Sequence, residues 1–413
     1  MTQTVVKNKP RTPKRKNPDR LLTASVLFLL AFSLVMISSA SMSSHDSIVK
    51  DVILTAGKQF VYVIAGIVLY YYMIYHFDFK KVTKYITMVL GALLLALLSC
   101  RLFNPVGGAY AWIRIPVINI TIQPSEFCKA AIIMTVAVFT CDIRTKKAVK
   151  AWDLVRIPVV TTLVYVGIII LLQHDFGSGF ALIGIASICL LIPDNKLYKR
   201  WQIGIVVIVA VIFVSTIILM RPGVKNYLNS EAFALFLQNH SLINKIWSKF
   251  GYQMYRFISA GDPLWDRFGY SQELLNSLLG IARGNIFGVG LGNSIQKYGY
   301  LASADADYIF AVIVEELGLI GIAFVFIPYF IIMFKLLRTA LVAKLEREKV
   351  LLIGTFSYVF IHMFLNIGGI SALIPLTGVP LILLSRGGAS LLTVMFLLGC
   401  CQNILCKYKE KAR

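Results

Sequence analysis

Ten apolar runs, each about as long as a membrane-spanning helix, constrain the fold of this chain more than any other feature. A helix that crosses a bilayer needs about 20 apolar residues. The runs lie near residues 21–40, 58–76, 85–103, 124–142, 157–173, 176–193, 202–220, 308–335, 350–367 and 388–406. Only 15% of the 413 residues are charged, whereas a soluble domain carries about 25%. The sequence therefore predicts an all-α, polytopic membrane protein of ten transmembrane helices.

Lysine and arginine are concentrated in connections that ten spans would place on one side of the membrane. These connections are 1–20, 77–85, 144–156, 194–201, 338–349 and 406–413. The opposite connections, 41–57, 104–123, 174–175 and 368–387, are poor in both residues. Because positive loops stay in the cytoplasm, both termini are predicted to be cytoplasmic. The net charge of +21 largely reflects this asymmetry, which favours contact with anionic lipid at the cytoplasmic face over nucleic acid.

The connection between the seventh and eighth runs, residues 221–307, is far longer than the others. Loops longer than about 15 residues are usually functional or disordered. This one is amphipathic and aromatic in "EAFALFLQ", "INKIWSKFGYQMYRFI" and "SQELLNSLLGIA", which predicts short helices at the membrane surface. Its glycines allow close backbone approach, either to a ligand or within the loop itself; they are Gly284, Gly288, Gly290 and Gly292.

The predicted organisation is a basic cytoplasmic tail (1–20), one membrane domain (21–406) and a short cytoplasmic tail (407–413). The first run follows the basic tail and lacks a convincing cleavage site, so it is predicted to be a retained span. The loop 221–307 would then be extracytoplasmic.

Ionisable residues in or beside apolar runs are functional candidates, because insertion of each costs about 2.5–3.5 kcal/mol at the membrane centre. Glu126 and Lys129 are three residues apart, which places them on one helix face where they can pair. Asp175 lies between the fifth and sixth runs, on the outer side of the predicted topology. The alternative for Glu126 and Lys129 is a purely structural ion pair.

Four acids surround the start of the eighth run. Asp305 and Asp307 stand at its mouth, where a carboxylate either caps the helix or acts on a ligand. Glu315 and Glu316 lie about 12 Å deeper at 1.5 Å per residue. At that depth we expect them to hold a helix break or a neighbouring helix, since they are too far from the outer face for a reaction there.

Acids and bases that share one membrane level beneath an amphipathic loop indicate a cavity for an amphiphile with an anionic head and a lipid tail. The residues predicted at this outer level are Asp307, Asp175, Glu126, Lys129, Arg256 and Lys297.

Six motifs, in order along the chain, resemble those of the SEDS family of bacterial membrane glycosyltransferases. "GAYAWIRI" is similar to G-A-R-R-W-I, "IQPSEFCK" to I-Q-P-S-E-x-x-K, and "LQHDFGSG" to Q-P-D-L-G-T. "YRFISAGDP" is similar to R-x-x-x-F-x-D-P. "GLGNSIQKYGYLASADADYIFAVIVEELG" resembles G-L-G-N-S-x-Q-K-x-x-Y-L-P-E-A-H-T-D-F-I-F-A-V-I-G-E-E-L-G, and "IPLTGVPLILLSRGGASLL" resembles L-P-x-T-G-x-x-L-P-F-x-S-Y-G-G-S-S-L. The sequence is identified on these motifs as a SEDS member, with a tail and first span nearer to FtsW than to RodA.

The resemblance implies an enzyme that polymerises lipid II into peptidoglycan glycan strands outside the cytoplasmic membrane. It places the family's essential aspartate on Asp307. The substrate-binding candidates on the same basis are Lys129, Glu126, Arg256, Asp175, Lys297, Gln123 and Ser385. It also implies a divalent cation, Mg²⁺ or Mn²⁺, with no ligands assigned. The implied partners are a monofunctional penicillin-binding protein that acts as transpeptidase, and other membrane proteins of the division or elongation machinery.

The sequence departs from the family pattern at several motif positions. Tyr110 and Ala111 replace the paired arginines, with Arg114 displaced, and His174 replaces a proline. In the later motifs, Asp305 stands where the pattern has histidine, and Arg386 stands where it has tyrosine. Two functions compete with polymerisation: a lipid II flippase, and a non-catalytic scaffold of the division or elongation machinery.

Overall fold

The computed structural model describes residues 17–43, 48–105, 108–115, 120–143, 150–194, 199–228 and 230–411. Its helices are α1 Arg20–Ala40, α2 Ile48–His76, α3 Phe79–Ser99, α4 Pro124–Val138, α5 Ala151–Gly167, α6 Phe176–Leu191, α7 Lys199–Leu219, α8 Pro222–Leu228, α9 Glu231–Asn239, α10 Ser241–Gly261, α11 Gln272–Gly284, α12 Ile309–Val342, α13 Glu346–Ile370 and α14 Gly388–Lys411. Short 3₁₀ turns at Ser41–Ser43 and Cys100–Leu102 follow α1 and α3, and π turns at Phe139–Ile143 and Ile168–Leu172 extend α4 and α5.

Nine helices of the described residues are long and apolar enough to cross a membrane, and each coincides with one predicted run. The sixth predicted run is the shorter apolar helix α6, of 16 residues. The polytopic helical class is therefore confirmed. Segment 221–307 contains α8 to α11, and three of these helices lie on the amphipathic stretches identified in the sequence.

The structure adds two details to the prediction. Besides the helices, β1 (Ile113–Ile115) and β2 (Ile120–Ile122) form a short antiparallel two-stranded ladder, with Ile113 opposite Ile122. In addition, α2 begins at Ile48, ten residues before the predicted 58. The charged residues Lys50 and Asp51 interrupt the apolar residues of this first part of α2, so hydropathy alone places the start of the run later.

The centre of the bundle is formed by α4, α13 and α14. Burial reaches 89% of the membrane window of α4, 78% of that of α14 and 56% of that of α13. α4 packs against α3, α6, α13 and α14. In contrast, none of the described side chains of α7 is buried. Polar side chains carried by α4 and α13 are therefore shielded from lipid by neighbouring helices.

We call the end at which residues 220–308 connect α7 to α12 the loop end of the bundle. Close to it, α12 is interrupted at Gly318, whose φ of 60° is unfavourable for any residue with a side chain. A Cβ at Gly318 would also collide with the main chain at Ile286 and Gly288. Gly284 and Gly288 approach the α12 main chain in the same way, so two of the loop glycines serve packing within the protein.

Candidate active site

Asp307 lies at the loop end, directly before α12. The N-cap of α12 is Tyr308, and no side chain caps this helix, so the capping interpretation of Asp307 has no support in the geometry. Its carboxylate instead faces Gly378 and Arg256. A Cβ on Gly378 would lie 3.7 Å from Asp307 Oδ2 and 4.0 Å from Arg256 Nη1. The missing side chain of Gly378 therefore leaves space beside an acid and a base.

The electrostatic surroundings of Asp307 suit proton transfer near neutral pH. Burial raises the pKa of Asp307 to about 6; the nearby Arg256 lowers it, while Glu273, Asp175 and Asp305 raise it further. A carboxyl group with such a pKa is partly ionised in the range where a general base works best. Strongly perturbed carboxyl groups in a cleft are functional-site candidates.

The main chain that leads into Asp307 is held at three successive carbonyls, those of residues 305–307. They accept hydrogen bonds from the Arg386 amide (2.9 Å), the Ser385 hydroxyl (2.7 Å) and the Asn366 side-chain amide (2.8 Å). Asn366 also donates to the carbonyl of Val379, at 2.9 Å. The predicted site residue Ser385 thus positions the segment before Asp307 by its contact with the backbone.

Glu126 and Lys129 form the predicted pair, with Nζ 2.6 Å from Oε1 and both side chains almost fully buried. The Tyr358 hydroxyl donates to Glu126 Oε2 at 2.9 Å. His362 Nε2 lies 3.0 Å from Lys129 Nζ, and its Nδ1 lies 3.2 Å from the Pro380 carbonyl. Because that carbonyl only accepts, Nδ1 is the donor and Nε2 accepts from Lys129.

Three residues that the sequence reasoning missed connect this pair to Asp307. Tyr358, His362 and Asn366 are spaced four apart on α13, and so lie on one helix face. The first two contact the pair, and the third contacts the main chain of Asp307. Polar residues repeating every four positions within the apolar run "YVFIHMFLN" were the signal that would have found them.

Gln123 and Asp175 meet at the start of two neighbouring helices. Gln123 Nε2 donates to Asp175 Oδ2 at 2.8 Å and to Ser178 Oγ at 3.2 Å. Asp175 also caps α6, since its Oδ1 accepts from the Ser178 amide at 3.0 Å. These two predicted residues therefore lie at the loop end, joining α4 to α6.

Lys297 is not brought to Asp307. Its fully buried ammonium group lies 3.0 Å from Glu316, 3.1 Å from Ser39 Oγ and 2.7 Å from the Gly292 carbonyl. It is enclosed by protein and holds the loop to α1 and α12. Glu315 correspondingly accepts from residues 294–296, in line with the structural role expected of both glutamates.

The positions that depart from the family pattern also have defined places. The Arg101 guanidinium lies 3.9 Å from the Tyr110 ring centroid, so a cation does contact the loop that lacks the paired arginines. Arg114 is exposed on β1. Arg386 forms an ion pair with Asp305, at 3.0 Å.

An apolar groove of 470 Å³ lies between α2, α3, α4 and α14. Its α4 wall consists of Phe127, Ala130, Ala131 and Met134. These four residues lie on the same helix as Glu126 and Lys129, so the apolar groove and the buried ion pair share α4.

The described residues contain no group of three or more His, Cys, Asp or Glu side chains placed to hold a metal ion. Mg²⁺ is usually bound through only one or two carboxylates together with substrate phosphates. A single carboxylate such as Asp307 fits that arrangement if the substrate supplies the remaining oxygens.

Together these features define a multi-pass helical membrane protein with a titratable carboxylate at one end of its bundle and an apolar groove within it. The sequence profile of the FtsW/RodA/SpoVE family, described as cell cycle protein, matches residues 19–410. The chain belongs to this family, as the six motifs indicated.

Curated relatives place it near FtsW. It is 33% identical over 412 residues to the probable peptidoglycan glycosyltransferase FtsW of Bacillus subtilis (strain 168), covering 96% of this chain and 93% of the relative. It is 26% identical over 395 residues to stage V sporulation protein E of the same organism, covering 95% and 98%.

Solved structures share the fold. The structure titled "Structural coordination of polymerization and crosslinking by a peptidoglycan synthase complex" aligns with a TM-score of 0.67 and 19% identity, covering 94% of this chain and 98% of that chain. The rod shape determining protein RodA of Thermus thermophilus aligns with a TM-score of 0.60 and 19% identity, covering 96% and 98%.

Proposed function

We propose that this protein is a peptidoglycan glycosyltransferase that polymerises lipid II at the outer face of the cytoplasmic membrane, during cell division. Family membership supports the enzyme class, and the similarity to FtsW supports the division role. The observation that carries the mechanism is the half-buried Asp307, with its raised pKa, beside Arg256 and the open space at Gly378.

In this mechanism Asp307 is the general base. It accepts the proton of the acceptor GlcNAc hydroxyl while that oxygen attacks C1 of the donor MurNAc. The bond from C1 to the pyrophosphate oxygen breaks, undecaprenyl pyrophosphate leaves, and in-line attack inverts the configuration to give the β-1,4 link. A positioned base contributes about 10²–10⁴-fold to such a step.

Arg256 is the cation best placed to bind the pyrophosphate. It lies close enough to Asp307 to lower that group's pKa, and it donates to the Leu376 carbonyl at 3.1 Å. A fixed guanidinium stabilises negative charge that develops on the leaving group. Lys129 and Glu126 contact each other and the α13 residues His362 and Tyr358, so they position this helix.

The apolar groove beside α4 has the lining required for a prenyl chain. A divalent cation, Mg²⁺ or Mn²⁺, would be held by Asp307 together with substrate oxygens, where it would supply positive charge to the leaving pyrophosphate.

A monofunctional penicillin-binding protein is the proposed partner, because it would cross-link the strand that this protein makes. The fold shared with a chain from a peptidoglycan synthase complex supports such an assembly. Further contacts with division or elongation membrane proteins follow from the same role. The basic connections support ten spans with both termini in the cytoplasm and segment 221–307 outside.

Purified protein with labelled lipid II, the partner and Mg²⁺ or Mn²⁺ tests the proposal. The wild type should give a ladder of glycan polymers, and Asp307→Asn should give none. Asp78→Asn is the matched control, because Asp78 caps α3 at its N-terminal end and asparagine caps about as well as aspartate. Lipid movement without a ladder would identify a flippase. If the protein produces neither a ladder nor lipid movement, the scaffold function remains. A ladder from Asp307→Asn would remove the mechanism.

A further inference from the structure

Two departures from the family pattern, 81 residues apart in sequence, contact each other beside the site. Asp305 replaces the pattern's histidine and Arg386 replaces its tyrosine. The Arg386 guanidinium lies 3.0 Å from Asp305 Oδ2, and the Arg386 amide donates to the Asp305 carbonyl at 2.9 Å. Both ends of Arg386 thus bind one residue, located two positions before Asp307.

The charge of Asp305 is poorly tolerated without Arg386. The side chain of Asp305 is only 12% exposed, while that of Arg386 is 52% exposed. A largely buried carboxylate that loses its cation carries an uncompensated desolvation cost. A single exchange at either position therefore leaves a mismatch that the second exchange removes.

A second pair of departures shows the same relation. Tyr110 replaces an arginine and His174 replaces a proline, and their rings meet edge to face with centroids 6.4 Å apart. His174 has a φ of 59°, which a proline ring cannot adopt. The turn after α5 therefore requires a residue other than proline at this position, and that residue contacts Tyr110.

We propose that Asp305 and Arg386 are positioning residues, and that their ion pair fixes the main chain presenting Asp307. This inference rests on the proposed function. The pair extends the hydrogen bonds that the carbonyls of 306 and 307 accept from Ser385 and Asn366. Without it, the segment would lose its charged contact at Asp305.

The pair also sets the charge that Asp307 experiences. Arg256 faces Asp307 as a cation, while Glu273, Asp175 and Asp305 face it as acids. Arg386 neutralises the last of these. Loss of Arg386 alone should therefore leave Asp305 as an uncompensated negative charge beside Asp307.

The first test exchanges the residues for those of the family pattern. Asp305→His and Arg386→Tyr should each slow polymerisation about tenfold, and the double variant should recover most of that loss, as expected for residues in contact. If the fold-losses in rate of the two single variants multiply in the double variant, the proposal is overturned, while a glycan ladder from the wild type still supports the proposed function. A wild type that forms no polymer would remove both.

The second test separates positioning from folding by comparing kcat with KM. Arg386→Gln should lower kcat while KM for lipid II stays nearly unchanged, and Arg386→Lys should restore much of kcat. The control is the ion pair of Asp19 and Lys335, whose atoms are 3.1 Å apart with side chains 16% and 22% exposed. Neutralising that pair should lower the unfolding temperature without lowering kcat. An unchanged kcat in Arg386→Gln would overturn the proposal.

Discussion

The side-chain amide of Asn366 donates to the main-chain carbonyl of Asp307 at 2.8 Å, from a helix 59 residues later in the chain. The same amide donates to Val379 at 2.9 Å. One residue of α13 therefore holds the start of α12 and the segment containing Gly378 in register. The distance between Asp307 and the space beside it depends on this contact.

Asn366→Ala should weaken both the fold and catalysis. It leaves two carbonyls without their donor, and each buried group left unsatisfied costs about 1–3 kcal/mol. We expect a lower unfolding temperature and a polymerisation rate reduced about tenfold or more. Asn403→Ala is the control, because Asn403 donates to the carbonyls of Ile74 and Phe77. The loss of activity should be compared with the decrease in unfolding temperature for each variant. If Asn403→Ala loses as much activity for the same decrease, a specific role for Asn366 is contradicted.

The rate of polymerisation should rise with pH through about 6, because a general base works only when deprotonated and the pKa of Asp307 is raised to about 6. Initial rates at saturating lipid II, measured from pH 5 to 8 in one buffer series, check this. A flat profile across that range would argue against Asp307 as the base.

The same group should make Asp307→Asn more stable than the wild type above pH 6. The pKa of Asp307 is raised in the folded protein from the ordinary 3.8 to about 6, so its charged form disfavours folding. The penalty is absent below about pH 4 and complete above about pH 6. Thermal unfolding of both proteins at pH 4 and 8 should show the difference only at the higher pH.

Lys129→Met should be strongly destabilising, because it leaves Glu126 buried without its cation, a change that costs about 3–5 kcal/mol in comparable pairs. Adding Glu126→Gln should restore much of the stability and activity. Thermal unfolding and lipid II polymerisation of the three variants measure this. If activity stays lost while stability returns, Lys129 contacts the substrate after all.

Gly378→Ala should raise KM for lipid II, since its Cβ would point at Asp307 and Arg256. The φ of 67° at Gly378 adds backbone strain. Gly299→Ala separates the two effects, because Gly299 has a φ of 85° and nothing within 4 Å of its Cβ position. Equal changes in KM for both variants would assign the effect to strain alone.

Local patterns predicted those parts of the molecule that depend on local physics. Runs of apolar residues gave the spans, and a spacing of three gave the Glu126–Lys129 pair. Contacts between distant segments were not predictable. Lys297 in a polar loop looked available for an anionic substrate, and only the folded chain reveals Glu316 beside it. Asn366 looked like an incidental polar residue of an apolar helix, because nothing in its neighbourhood specifies a contact with Asp307.

The glutamates of α12 have a consequence for how the protein is made. Glu315 and Glu316 lie within a membrane-spanning helix, and their partners come from residues 294–297 and from Ser39 of α1. Until those segments are in place, the start of α12 is a poor membrane segment. Every partner precedes α12 in the chain and therefore leaves the ribosome first. The order of synthesis thus supplies the partners of Glu315 and Glu316 before the span that needs them.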